Sequence, residues 1–125
     1  MNSDAAVKNL SVLRIVVGLL AWLAPNLAGR AFMLDVPGNP QAPYLARLFG
    51  VRDVFLGVVT AQANGAARGK LLAAGIAVDS ADAAAALLGA RSGYFSKSTG
   101  TLLAVPAVAA AAMGMLALQG NAKPE

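Results

Sequence analysis

Two arginines and three aspartates stand inside apolar stretches of this sequence, where charged side chains are uncommon. They are Arg14, Arg52, Asp53, Asp79 and Asp82. A guanidinium can bind a carboxylate through two parallel hydrogen bonds, and a carboxylate away from water can take up and release a proton. The chemistry open to this set is therefore ion pairing, proton transfer or the binding of a polar group.

The sequence contains neither cysteine nor histidine. Thiolate nucleophiles are thus excluded, as are the commonest general base and metal ligand. Asp79 and Asp82 have the spacing of a ligand pair, but Mg²⁺ or Ca²⁺ needs more carboxylates than the nearby arginines leave free. We expect no catalytic residue, no metal and no cofactor, and a non-enzymatic role is favoured over an enzyme.

The composition points to lipid as the solvent of this chain. Its 125 residues are 58% hydrophobic and 13% charged, whereas soluble domains are about 25% charged. So few charges cannot cover the surface of a soluble domain. The cations are scattered singly, so the net charge of +4 does not predict a nucleic-acid partner.

Four apolar segments, at residues 10–24, 44–63, 71–90 and 101–118, approach the roughly 20 residues that cross a bilayer as a helix. Only helices or closed barrels satisfy the backbone in lipid, and four strands cannot close a barrel. We therefore predict an all-α fold, an integral membrane bundle of four transmembrane helices. Residues 1–125 form a single membrane domain, with a disordered tail at 119–125.

A short interfacial helix is expected after the first span, because Pro25 suits a first helical position and apolar residues follow at helical spacing. The prolines and glycine of residues 35–43 forbid regular structure before the second span. Trp22 and Tyr44 suit the membrane interface, and Arg47 is expected to extend its guanidinium toward the same interface.

Small residues recur at steps of three and four in the second and third spans. Gly50 and Gly57 flank Asp53, and Gly75 and Gly89 flank the two acids of the third span. Small side chains let helices approach closely in lipid. These four glycines are predicted to mark helix-packing stripes with carboxylates set into them.

Depth along the helices predicts which charges pair, at about 1.5 Å of rise per residue. Arg52 lies roughly 12 Å below one face, and Asp82 comes level with it from the opposite face of a roughly 30 Å core. By the same argument Arg14 reaches toward Asp79. Asp53 then lacks a cation of its own, which indicates a shared network or one protonated acid.

Several local sequences resemble those of known membrane proteins. Arg14-Ile15-Val16-Val17-Gly18 is similar to the Arg-x-x-x-Gly opening of DoxX-like four-helix membrane proteins. The stretches 24–25, 48–53 with Gly57, and 79–83 resemble an uncharacterised family of four-helix proteins common in actinobacteria. The resemblance implies a four-helix membrane fold with a polar cluster at Arg52, Asp53, Asp79 and Asp82, and it names no substrate.

We accordingly expect a multi-pass protein of the bacterial inner (plasma) membrane. Alternating spans place Lys8, Arg68, Lys70 and Lys123 on one side and three cations on the other. Because cytoplasmic loops carry more Lys and Arg, this difference favours cytoplasmic termini. Counting Arg47 with the three cations would make the two sides equal. The bilayer is the expected partner, together with another membrane protein or a second copy of the chain.

Three functions are compatible with these residues. The favoured one is a non-enzymatic subunit or assembly factor of a membrane complex, in which the charges fix helix register. The second is a small transporter or channel component that uses Asp53, Asp79 or Asp82 as a proton or polar-solute site. The third is a lipid-binding module or an enzyme acting on an apolar molecule, with the first connection as a lid.

Overall fold

The computed structural model describes residues 2–122, and within them the chain forms five α-helices and no strand. These helices are α1 (Ser3–Leu23), α2 (Pro25–Ala31), α3 (Ala42–Gln62), α4 (Gly65–Arg91) and α5 (Lys97–Ala122). The predicted all-α class is confirmed. Helices α1, α4 and α5 are long and apolar enough to cross a membrane.

Helix α3 differs from the other long helices in charge rather than in length. Its 21 residues include Arg47, Arg52 and Asp53, and it is not among the helices with the composition of a membrane span. Asp53 is buried, and the partly exposed Arg52 binds Asp82 of α4. Part of the charge of α3 is therefore directed at α4 rather than outward from the bundle.

The long helices begin earlier than the apolar segments predicted, and at α1 and α5 a polar residue caps the first turn. Asn2 Oδ1 accepts a hydrogen bond of 2.7 Å from the backbone N–H of Ala5, and α1 starts at Ser3. Ser96 Oγ accepts one of 3.1 Å from the N–H of Thr99 at the start of α5. Such caps satisfy backbone donors that a helix otherwise leaves unpaired.

The first part of the predicted disordered tail is helical. Helix α5 continues through residues 119–122, so that part of the prediction is wrong. Asn121 Nδ2 donates a hydrogen bond of 3.1 Å to the carbonyl oxygen of Gly65, which ties the last turn of α5 to the start of α4. The remainder of the predicted tail, residues 123–125, lies outside the described part of the chain.

The first connection contains the predicted short helix, but its irregular part ends two residues earlier than the predicted 35–43, because Ala42 and Pro43 belong to the first turn of α3. Helix α2 begins at Pro25, and residues 32–41 form turns and irregular backbone before α3 starts at Ala42. Met33 lies in the left-handed region with φ 62°, a conformation that is uncommon for a residue other than glycine. We call Pro25–Ala31 together with residues 32–41 the lid segment.

The four long helices pack as two close pairs. Helix α1 runs against α3, α4 runs against α5, and α1 also contacts α5, whereas α3 and α4 barely touch. Glycines permit the first pairing: a Cβ on Gly18 would lie 2.5 Å from the carbonyl oxygen of Gly50, and a Cβ on Gly57 2.9 Å from that of Ser11. Gly50 and Gly57 thus occupy a packing stripe, as predicted.

The interior differs between the two ends of the bundle. At the end that contains the N-terminus of α1, buried apolar side chains fill the space between the helices. They are Ala6, Val7, Leu10, Leu72, Ala110 and Ala117. We call this end the packed half. The opposite end, beneath the lid segment, contains a partly open cavity, and we call it the hollow half.

Candidate functional site

The five charged residues singled out in the sequence meet at the boundary between the two halves. Arg14 comes from α1, Arg52 and Asp53 from α3, and Asp79 and Asp82 from α4. Each lies well inside its helix, far from either end. We call these five residues the polar cluster.

Arg14 and Asp79 form the more buried ion pair of the cluster. Arg14 Nη2 donates to Asp79 Oδ2 at 2.5 Å, and the two side chains are 3% and 7% exposed. The pairing matches the depth prediction. Arg14 Nε and Nη1, by contrast, are buried without an acceptor among the described residues.

Gly75 makes room for this pair. A Cβ at Gly75 would lie 2.7 Å from both Arg14 Nη1 and Arg14 Nη2, closer than non-bonded atoms tolerate. Its predicted role as a helix-packing position therefore changes, because the missing side chain accommodates a guanidinium rather than a neighbouring backbone. Gly89 differs in the same way, since a Cβ there would overlap the ring of Phe95.

Arg52 and Asp82 form the second ion pair, also as the depths predicted. Arg52 Nη2 donates to Asp82 Oδ2 at 2.6 Å and Nη1 donates to Oδ1 at 3.3 Å, so the contact is bidentate. The guanidinium also lies 4.9 Å from the centroid of the Phe49 ring, within cation–π range. This pair bridges the cleft between α3 and α4, and its side chains are 37% and 33% exposed.

Asp53 is the acid without a cation of its own. The nearest cationic atom is Arg52 Nη2, at 3.7 Å from Asp53 Oδ1, and that guanidinium already binds Asp82. The Asp53 side chain is 11% exposed, and no side chain or backbone group of residues 2–122 donates a hydrogen bond to it. The shared network expected from two arginines and three acids is present.

A cavity of about 880 Å³ lies above the cluster, in the hollow half. Four members of the polar cluster form its floor: Arg14, Asp53, Asp79 and Asp82. Its walls are almost wholly apolar and come from all five helices, with Leu13, Val17, Phe49, Leu103, Pro106 and Ala107 among them. Such a volume falls in the range of small-molecule sites, about 300–1,000 Å³.

The lid segment covers the outer end of this cavity. Ala28, Gly29, Phe32 and Val36 of the lid line it, together with Phe95 of the last connection. The cavity is partly open, and α3 and α4, which contact each other little, both contribute to its lining. An occupant would therefore lie with one end near the charged floor and the rest against apolar side chains.

A chain of hydroxyl hydrogen bonds fastens the lid to α5. Ser96 Oγ donates to Thr99 Oγ1 at 3.1 Å, and Thr99 Oγ1 donates to the carbonyl oxygen of Met33 at 3.1 Å. Thr99 is buried. Sequence analysis missed all three residues: the helix-capping position of Ser96 was a usable signal, whereas nothing local connects Met33 with Thr99.

Arg47, which we expect to extend toward the membrane interface, contacts the end of α1. Its Nε donates a hydrogen bond of 3.0 Å to the carbonyl oxygen of Trp22, and its guanidinium lies 5.5 Å from the centroid of the Trp22 ring. The last carbonyls of a helix lack partners within the helix. Arg47 therefore caps the C-terminal end of α1, while Trp22 and Tyr44 remain exposed.

The site contains acids and guanidinium groups but no nucleophile with an adjacent base. Within residues 2–122, no three metal-binding side chains are grouped closely enough to hold an ion. No protein-family model, curated protein or solved structure matches the chain. The distinctive feature of the site is geometric. Asp53, which accepts no hydrogen bond from residues 2–122, lies in the floor of an apolar cavity.

Proposed function

We propose that this protein is a multi-pass protein of a bacterial plasma membrane and that α1, α3, α4 and α5 all cross the bilayer. Three of these helices have the length and composition of spans. Helix α3 lies along α1, buries Asp53 and pairs Arg52 with Asp82 of α4, which lowers the cost of placing a charged helix in lipid. The four-helix architecture, and its likeness to DoxX-like proteins, are part of this proposal.

Single cysteines test the α3 span, because the natural chain has none. Gln41→Cys and Asn64→Cys place a thiol at either end of α3. In intact cells or sealed vesicles, a membrane-impermeant maleimide is expected to label one variant and not the other. Labelling both from the same side would mean that α3 does not cross.

The function that the geometry supports best is non-enzymatic binding of an amphiphilic small molecule from the membrane. The observation that carries this proposal is the apolar cavity of about 880 Å³ with a cluster of ionisable groups in its floor. Apolar walls suit a hydrocarbon body, and a few convergent polar groups fix the orientation of a ligand. The lid segment separates this space from the membrane surface.

Cavity-filling variants test the binding proposal. Ala107→Leu puts a larger side chain into the cavity, whereas Ala109→Leu makes the same change on the exposed side of α5. Native mass spectrometry of protein released from lipid nanodiscs is expected to show co-purified amphiphile on the natural protein and on Ala109→Leu, and less on Ala107→Leu. Equal occupancy of all three would place the bound molecules outside the cavity.

A second candidate, the subunit or assembly factor favoured by the sequence, has support from the cleft between α3 and α4. The Arg52–Asp82 pair is about one-third exposed there, and charges facing lipid at mid-depth are costly. A helix of another membrane protein, or a second copy of this chain, would cover it. Affinity purification in mild detergent tests this, and a lone monomer that retains full stability would count against it.

Transport is a third candidate, because Asp53 lies at mid-depth without a hydrogen-bond donor and could carry a proton. Proton flux into vesicles reconstituted with the protein is the measurement. Flux that persists in Asp53→Asn, or that is absent from the natural protein, would remove this candidate.

A further inference from the structure

The charge of the cavity lining is opposite to that of the whole chain. The protein carries a formal net charge of +4. The cavity, however, has three aspartates and one arginine in its floor and a fourth aspartate, Asp35, on the lid segment, with no lysine among its lining residues. Counting Arg52, which binds two of these acids from the side, the acids remain in excess. In surroundings of low dielectric constant, such an excess favours a cationic occupant.

The atoms that an occupant can reach strengthen this preference. Arg14 Nε and Nη1 lack acceptors but are fully buried, so a molecule in the cavity cannot contact them. Asp53 retains 11% exposure of its side chain, lines the cavity and receives no hydrogen bond within the described chain. The floor thus presents the Asp53 carboxylate as an accessible acceptor, whereas the unpaired N–H groups of Arg14 are inaccessible.

A buried acceptor without a donor costs free energy, and the cost is larger when the acceptor is charged. Asp79 and Asp82 already bind arginines at 2.5 Å and 2.6 Å. Asp53 is the acid of the floor that accepts no hydrogen bond within the described residues. A ligand that brings both a positive charge and an N–H group would satisfy it.

From these observations, we propose that the cavity binds an amphiphile whose polar end is a protonated amine, and that this amine donates a hydrogen bond to Asp53. The proposal rests on the amphiphile-binding function and names its ligand class. The alkyl part occupies the apolar space beneath the lid segment, and the ammonium group lies at the floor. An anionic headgroup would meet three carboxylates there, two of which already occupy the nearby arginines.

Four ligands with the same alkyl chain separate charge from hydrogen bonding: dodecylamine, dodecyltrimethylammonium, dodecanol and dodecanoate. Binding is measured by calorimetric titration of the full chain in phosphatidylcholine nanodiscs, and empty nanodiscs correct for partitioning into lipid. The amine is expected to bind at least about tenfold more tightly than the alcohol, because hydrogen bonds to charged groups are worth that much. The trimethylammonium compound, which has no N–H, should fall between them, and the carboxylate should bind most weakly.

Asp53→Asn removes the charge and keeps the shape. It is expected to weaken amine binding by at least about tenfold and to leave alcohol binding within about twofold. Asp4→Asn is the matched control, because Asp4 lies on the exposed surface of the packed half. It should change neither affinity.

The outcomes separate this proposal from the function on which it rests. If none of the four ligands binds, the amphiphile-binding function is wrong. If the alcohol or the carboxylate matches the amine, the cavity binds amphiphiles but the cationic preference is wrong. Because this ranking needs only the natural protein, a poorly folded Asp53→Asn leaves the test intact. Equal losses of amine and alcohol affinity in that variant would also overturn the role of Asp53.

Discussion

The packed half and the hollow half are built from the same four long helices, yet they use their small residues differently. In the packed half, Ala6 and Ala117 are fully buried against Leu10 and Leu72. In the hollow half, Ala107 and Ala85 face a cavity instead. Small residues therefore produce close packing only where larger side chains fill the space that they leave. Elsewhere the same residues leave room for an occupant.

The polar cluster lies between these halves and closes the floor of the cavity. Its two ion pairs differ in their surroundings, because Arg14–Asp79 is buried and Arg52–Asp82 faces the cleft between α3 and α4. Removing one partner of a buried pair leaves an uncompensated charge inside the protein, whereas a partly exposed charge is less completely desolvated by the fold. The two pairs should therefore respond differently to mutation.

The largest effect is expected for Arg14→Ala, which should lower the free energy of unfolding by about 3–5 kcal/mol. The reason is that Asp79 would keep its buried charge and lose its hydrogen-bond partner. Reversible denaturation in mixed SDS micelles measures the loss. The double replacement Arg14→Met with Asp79→Leu removes both charges and should recover most of the stability, so equal losses in the single and double variants would contradict the pair's importance.

A smaller effect is expected at the exposed pair, where Arg52→Ala should cost about 1.5–3 kcal/mol. Arg52 serves both Asp82 and Asp53, so its removal leaves two acids without a cation. Asp82→Asn leaves Arg52 near Asp53 and should cost less. The same SDS denaturation compares them. Two near-zero values would show that the contact contributes little in the membrane, and a larger loss for Asp82→Asn would show that Arg52 does not stabilise Asp53 as well.

The pairing of charges could be predicted from the sequence because helix rise and bilayer thickness are both nearly constant. Arg52 and Asp82 are therefore expected at the same depth in the bilayer, whatever side chains surround them. The cavity was beyond such reasoning, since it depends on how far α3 and α4 stand apart. The role of Gly75 was equally hidden, because a glycine leaves the same gap for a backbone as for the guanidinium of Arg14.

The fold was partly predictable for a related reason. Apolar runs indicated where α1, α4 and α5 lie, and Pro25 marked the start of α2. The runs did not indicate the true ends of the helices, because caps such as Asn2 lie in polar sequence. The contact between Thr99 and Met33 joins residues far apart in the chain, and no periodicity reports such a pairing.

Matched alanine-to-leucine changes sharpen the comparison of the two halves. Ala117 is fully buried in the packed half, so Ala117→Leu should cost about 1–3 kcal/mol through overpacking. Ala107 faces the cavity, so Ala107→Leu should change stability little. Unfolding free energies of both variants, measured together, decide the matter. Similar losses at the two positions would mean that the hollow half closes up in the membrane.

The smallest effect is expected at the lid. Thr99→Val keeps the shape of the side chain but removes the hydrogen bond to Met33, which is worth about 1 kcal/mol. Since Met33 holds an uncommon backbone conformation, losing this contact should loosen the lid segment before it affects the bundle. Hydrogen exchange of the amides in residues 25–36 should accelerate, while overall melting changes little.

Thr101→Val is the control for the lid, because Thr101 Oγ1 donates to the carbonyl oxygen of Lys97 within α5 itself. This variant should leave exchange in the lid unchanged. If the effect of Thr99→Val spread equally to amides of α4, the hydroxyl would be stabilising the bundle as a whole. Faster exchange confined to residues 25–36, together with faster release of a bound amphiphile, is the result expected if the lid controls access to the cavity.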